Sequence, residues 1–158
     1  MHKTNALRML DKAKIRYRTE EYPVDEQDLS GKHVLEFVSL DADHIYKTLV
    51  LHGEKLGYLV ICIPILAEID LKKAAREVGD KKIEMLPLKD LLKVTGYMRG
   101  GCSPVGMKKH YPTFFDKRIA DLDEVAVSAG IRGCQMILKP QDLIQLVDGQ
   151  LIDASKDL

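Results

Sequence analysis

The sequence predicts one α+β domain built on a mixed, mostly antiparallel β-sheet, and three observations carry that prediction. The chain has 158 residues, enough to bury its own core without disulfide or metal staples. Its strand-like segments come in adjacent pairs with hairpin-type connections, and its helical segments are interspersed among them rather than alternating strictly. No internal repeat or low-complexity linker divides residues 1–158. The formal net charge is zero, so a nucleic-acid partner has to be met by a local basic patch. Cys62, Cys102 and Cys134 are odd in number and widely spaced, which points to a reducing compartment and to no zinc site. Residues 1–5 lack the apolar core of a signal peptide, and the longest apolar run, 59–66, is too short to span a membrane. The expectation is a cytoplasmic protein with no membrane partner.

Each element has a local reason. Thr4 or Asn5 can cap a first helix in which Ala6, Leu7, Leu10 and Lys14 fall at helical spacing. Residues 15–22 alternate Ile15, Tyr17 and Thr19 with Arg16, Arg18 and Glu20, the pattern of a half-exposed strand that stops before Pro23. The acidic stretch 25–28 is a loop or a helix entry. Val34, Leu35 and Val38 predict an amphipathic helix over 31–40. Segments 45–51 and 58–65, rich in branched and aromatic residues, form a hairpin whose turn uses Gly53 and Gly57. Asp70 caps a helix over 71–78 that Gly79 stops. A short strand at 82–85 and a short helix at 88–94 lead to Gly96. Strands follow at 112–115 and 124–128, and a turn at 130–133 enters a strand at 135–138. Pro140 opens a helix over 141–147, and a last short strand lies around Leu151 and Ile152.

The stretch 96–106 holds four glycines and a proline, a composition that no regular element tolerates. It is a loop with a shape to hold, either to present backbone N–H groups to a ligand or to crowd another piece of backbone. A Walker phosphate loop is excluded, because Met107 stands where the lysine should be and no Ser or Thr follows Lys108-Lys109. Cys102 has basic neighbours that can lower its pKa, but no nearby histidine with an orienting partner. Lys108 and Lys109 adjoin the loop and could hold a nucleic-acid backbone. Lys47 is the odd residue of a strand that is apolar at both parities, which implies cover on both faces. Its ammonium must reach solvent, a carboxylate or a ligand.

Ile45-Tyr46-Lys47-Thr48-Leu49, Asp70-Leu71-Lys72-Lys73, Thr95-Gly96-Tyr97, the run 100–109, and Val127-Ser128-Ala129-Gly130 with Arg132-Gly133 resemble the YbaK/EbsC family. Its members are aminoacyl-tRNA deacylases, typified by the cysteinyl-tRNA(Pro) deacylase and similar to the editing domain of bacterial prolyl-tRNA synthetases. The likeness runs nearly end to end and in order. It implies a single domain over 1–158, a barrel-like sheet surrounded by helices, and no metal or other cofactor. It implies a pocket in which Lys47 is the catalytic lysine. Gly100, Gly101, Cys102, Ser103 and Pro104 would hold the ester end of the substrate, with Tyr22, Leu29, Ser128 and Gly130 in or beside the pocket. In cysteine-specific members the substrate's own thiol attacks its ester carbonyl, so the protein supplies orientation and electrostatics rather than a nucleophile. Two positions depart from that pattern: Leu29 where a phenylalanine is found, and Gln135 where an aspartate is common. The implied partner is aminoacyl-tRNA, tRNA(Pro) first. Removal of another small amino acid such as alanine, or a non-catalytic module that binds tRNA or a synthetase, is the alternative. Sequence leaves open whether prolyl-tRNA synthetase takes part and whether the protein is a monomer or a homodimer.

Overall fold

The computed structural model describes residues 3–25, 27 and 31–156. Leu29, together with Glu26 and Asp28 of the acidic stretch, lies outside the described residues. Thr4 caps helix α1 (Asn5–Lys12) by accepting a hydrogen bond from the Leu7 N–H, and Ala6, Leu7 and Leu10 are buried beneath it. Lys14 falls beyond the helix at φ 59°, so it does not share the buried stripe. Strand β1 (Tyr17–Glu21) and helix α2 (Gly31–Phe37) follow. The hairpin pairs β2 (Tyr46–Gly53) with β3 (Gly57–Pro64) through eight residues in register. Helix α3 (Leu71–Val78) has the predicted Asp70 cap and ends at Gly79 in the left-handed conformation.

A three-residue β4 (Ile83–Met85) comes next. Pro87 then diverts the chain into a single 3-10 turn, which leads to α4 (Leu91–Thr95) rather than to one continuous helix. The remainder comprises β5 (Thr113–Asp116), β6 (Val125–Ser128), β7 (Cys134–Leu138), α5 (Pro140–Leu146) and β8 (Gln150–Ile152).

The strands form two sheets, not a closed barrel. One is ordered β1-β7-β6 and wholly antiparallel; the other is ordered β4-β2-β3-β5-β8, with β5 parallel to both β3 and β8. The barrel-like expectation fails because closure needs continuous pairing between the sheets, and the described residues supply only one isolated bridge, Ile45 to Ala126.

β3 is buried on both faces, as an apolar run without alternation requires. Val60 and Cys62 pack with Leu7, Phe115 and Met136 on one side, while Leu59, Ile61 and Ile63 pack with Ala74 of α3 on the other. Each of the valine, leucine, isoleucine, phenylalanine and methionine side chains contributes about 1.5–3 kcal/mol by burial. β2 differs. β4 pairs with it only from Leu51 to Gly53, so the edge of β2 before Val50 is left open. Lys47, Thr48 and Leu49 are partly exposed there, which corrects the expectation of a strand covered throughout.

Candidate functional site

The open edge of β2 is one wall of a cleft of about 550 Å3 that lies along the seam between the two sheets. Lys47 and Thr48 line it from β2, Ser128 and Gln135 from the other sheet, Tyr22 from the end of β1, and Arg99, Gly100 and Cys102 from the glycine-rich loop. Ser128 and Gln135 are register partners across β6 and β7, so they present adjacent side chains on one sheet face. Met85, Leu86, Leu88 and Leu91 complete the far wall with apolar surface. No carboxylate lines the cleft among the described residues, whereas two cations do, Lys47 and Arg99.

Lys47 is half-buried. Burial pulls its ammonium below the ordinary lysine value of 10.5, against the weaker attraction of Glu68. It makes no ion pair or hydrogen bond among the described residues, so an anionic or carbonyl oxygen entering the cleft would restore the solvation it has lost.

Cys102 lies in the cleft wall, but burial pushes its thiol up to about 12, with a smaller opposing hydrogen bond to Thr95. The lowering that its basic neighbours suggested does not occur. At neutral pH the group is a thiol and not a nucleophile.

The glycine-rich loop divides into wall and scaffold. The N–H groups of Gly100 and Cys102 have no acceptor among the described residues. That of Gly101 is spent on Met98 O at 3.0 Å, so Gly101 is not part of the wall. A Cβ on Gly101 would stand 2.9 Å from Arg132 N and 3.0 Å from Ile131 C; the glycine is there because two backbones touch. Ser103 and Pro104 are likewise buried outside the cleft, and Ser103 Oγ accepts from the Val105 N–H at 3.2 Å. The crowding and ligand-presenting roles of this loop coexist in neighbouring residues.

Gly130 also stands behind the wall. Its N–H donates to Ser128 Oγ at 3.1 Å, which leaves the serine's own proton free to donate into the cleft. At φ 97° it is in the region that favours glycine, and a Cβ there would meet the Tyr97 ring at 2.9 Å. Tyr97 donates to Val105 O at 2.6 Å, so this buried ring ties the loop to the β6–β7 turn. Thr4 Oγ1 donates to Ala129 O, and Asn5 Nδ2 donates to Gly106 O at 2.8 Å. The start of α1 therefore clamps both loops from outside.

Lys108 and Lys109 are exposed and do not line the cleft. The Lys108 stem lies over Gly96, so its sequence proximity to the loop does not become proximity to the wall. Arg99, Tyr46, Thr48 and Gln135 were not among the predicted site residues. Tyr46 and Thr48 flank Lys47, and Gln135 stands at a departure from the family pattern, so sequence held a signal for three of them; Arg99 had none. Tyr46 Oη and Gln135 Oε1 are buried without a hydrogen-bond partner among the described residues, which is uncommon for buried polar groups.

The model of the aminoacyl-tRNA editing domain matches residues 29–146. The chain belongs to the aminoacyl-tRNA editing family. A curated Enterococcus faecalis member, named "Putative Cys-tRNA(Pro)/Cys-tRNA(Cys) deacylase EbsC", is 45% identical over 151 residues, covering 96% of this chain and 92% of the relative. Two solved structures share the editing fold. One, described as a "putative trans-editing enzyme for prolyl tRNA synthetase", has a TM-score of 0.83 at 24% identity, covering 99% and 100% of the two chains. The other, a hypothetical protein, has a TM-score of 0.86 at 15% identity, covering 97% and 100%. Among the described residues of this editing domain, no helix is long and apolar enough to cross a membrane.

Proposed function

We propose that this protein hydrolyses the ester of misacylated tRNA in trans, with Cys-tRNA(Pro) as its main substrate. The observation that supports this most directly is that Lys47, Ser128, Gly100 and Cys102 line one cleft, the last two with N–H groups that have no acceptor among the described residues. This set offers a cation and several donors to an ester and its tetrahedral intermediate, without a protein nucleophile. Lys47 polarises the ester carbonyl or anchors the terminal nucleotide. Tyr22 and Ser128 border the aminoacyl group.

The absence of an activated thiol at Cys102 fits a reaction in which the substrate supplies the nucleophile. The substrate's sulfur attacks its own ester carbonyl carbon, the bond to the ribose oxygen breaks and that oxygen takes up the thiol proton, and water then opens the resulting cyclic thioester to free cysteine. The name of the Enterococcus relative supports cysteine as the amino acid removed.

The test is deacylation of purified Cys-tRNA(Pro) and Ala-tRNA(Pro) by the wild type and by Lys47→Ala. The wild type should clear the cysteinyl ester faster than the alanyl ester, and Lys47→Ala should lower kcat by about 10²- to 10³-fold. Saturable tRNA binding with no turnover on either ester would replace this reading with a non-catalytic tRNA-binding module.

A further inference from the structure

We infer that Arg99 and Arg132 form a phosphate clamp at the lip of the cleft, which holds the phosphate on the 5′ side of the terminal nucleotide of the RNA. The inference rests on the reading that an aminoacylated RNA 3′ end enters this cleft, and it names the protein groups that hold its backbone.

Arg99 adjoins Gly100 and itself lines the cleft. Arg132 comes from the β6–β7 turn, where its Nε donates to Arg99 O at 2.7 Å. That bond uses one of the guanidinium's five N–H donors and holds the planar group against the loop, leaving the Nη groups to face a ligand. The same two loops are pressed together at Gly101, whose backbone touches residues 131 and 132. The clamp is thus built on two loops locked to each other.

Neither guanidinium pairs with a carboxylate among the described residues, in contrast to Arg18, bound to Glu124, and Arg118, bound to Asp116. With no carboxylate on the cleft wall either, the positive charge at the lip is unopposed locally although the chain is neutral overall. The chemistry of the substrate then selects the ligand atom. In an RNA 3′ end the phosphate 5′ to the last nucleoside is one ribose away from the 3′ ester. If the ester carbonyl lies at Gly100 and Lys47, this phosphate is the anion nearest the residue before Gly100. Two guanidiniums match a phosphate's oxygens in a way that the separate, solvated ammonium groups of Lys108 and Lys109 do not.

The experiment uses an uncleavable probe, the trinucleotide CCA carrying a fluorophore on its 5′ end, titrated into wild type, Arg99→Ala, Arg132→Ala and Arg132→Lys over a range of salt. The wild type should bind saturably. Each alanine variant should weaken binding about tenfold or more, and the slope of log K against log salt should flatten by about 0.7 for a lost phosphate contact. Arg132→Lys should recover only part of the affinity, because it restores charge without the planar geometry. Both arginines are at least partly exposed, so the variants should keep the wild-type circular dichroism, which is measured alongside. No binding by the wild type, or wild-type affinity and slope in both alanine variants, overturns the clamp. Binding that behaves as expected in a protein that deacylates nothing would keep the clamp and refute the hydrolase reading. Deacylation by a wild type whose variants bind like it would do the reverse.

Discussion

Lys47 and Cys102 line the same cleft, and burial acts on them in opposite chemical senses. It lowers the pKa of an ammonium and raises that of a thiol, because in each case the charged form is the one penalised. For Cys102 the consequence is an inert, protonated sulfur, so Cys102→Ser should keep deacylation of Cys-tRNA(Pro) within about threefold of wild type. Loss of a hundredfold or more would restore a role for the thiolate. For Lys47 the consequence is a pH limit. On the proposed mechanism the reaction needs the ammonium, which is lost as pH rises, and the folded pKa lies below 10.5. A profile of kcat/KM against pH, corrected for spontaneous ester hydrolysis, should show an alkaline limb below that value. The limb should be absent from the residual activity of Lys47→Ala.

At the scale of elements, the cleft exists because β4 is short. Had β4 continued beside β2 past Leu51, the peptide edge at Lys47 would be covered by a strand; Pro87 prevents it. The glycine-rich loop then closes the opposite side, held by Tyr97, Gly101 and the start of α1. Gly101 should be sensitive to a methyl group, since the collision is with the backbone of residues 131 and 132 and not with a movable side-chain tip. Gly101→Ala should cost about 1–3 kcal/mol of stability in urea titration. It should also lower kcat, because Gly100 and Cys102 move with the displaced loop. A destabilised variant with wild-type kcat would show that the wall does not depend on this contact.

For the whole molecule, two buried carboxylates tie distant parts of the chain together. Burial works against the charged form of Asp80, but N–H donation from Leu56, Lys55, Lys82 and Lys81 outweighs it and holds its pKa below 3.8. These bonds join the β2–β3 turn to the segment after α3. Asp116 is also desolvated, and bonds from Arg118 and Ser155 bring its pKa below 3.8 while pinning the C-terminal segment to β5. Both folded values lie below the unfolded one, so the unfolded chain binds more protons in that window. The stabilisation is complete above pH 3.8 and is lost as pH falls through the folded values. Urea midpoints should fall between pH 5 and pH 2.5 in the wild type, and Asp116→Asn should be weaker at pH 7 with a shallower acid dependence. An unchanged acid dependence would assign the effect to other groups.

The α1 cap at Thr4, the β2–β3 hairpin and the bounded helix α3 were legible in the sequence because caps, turns and hydrophobic periodicity are local signals, decided by residues a few positions apart. Lys47, Cys102 and Ser128 were legible as a set only through their resemblance to a family, and the cleft does bring them together. The sequence could not separate Gly100 from Gly101, or Ser128 from Gly130, since which residues of one motif reach the cleft and which N–H groups find acceptors is set by the folded backbone. Nor could it show that Arg99 lines the cleft while Lys108 and Lys109 do not, or reveal two sheets where a barrel was expected. Those outcomes rest on pairing and contact between segments as far apart as residues 45 and 126 or 101 and 132. The sequence by itself determined the elements and the kind of chemistry they carry. Tertiary structure alone decided which donors are still free to act, because packing between distant segments fixes the loop conformations in which a nearby acceptor, such as Met98 O for Gly101, is or is not within reach.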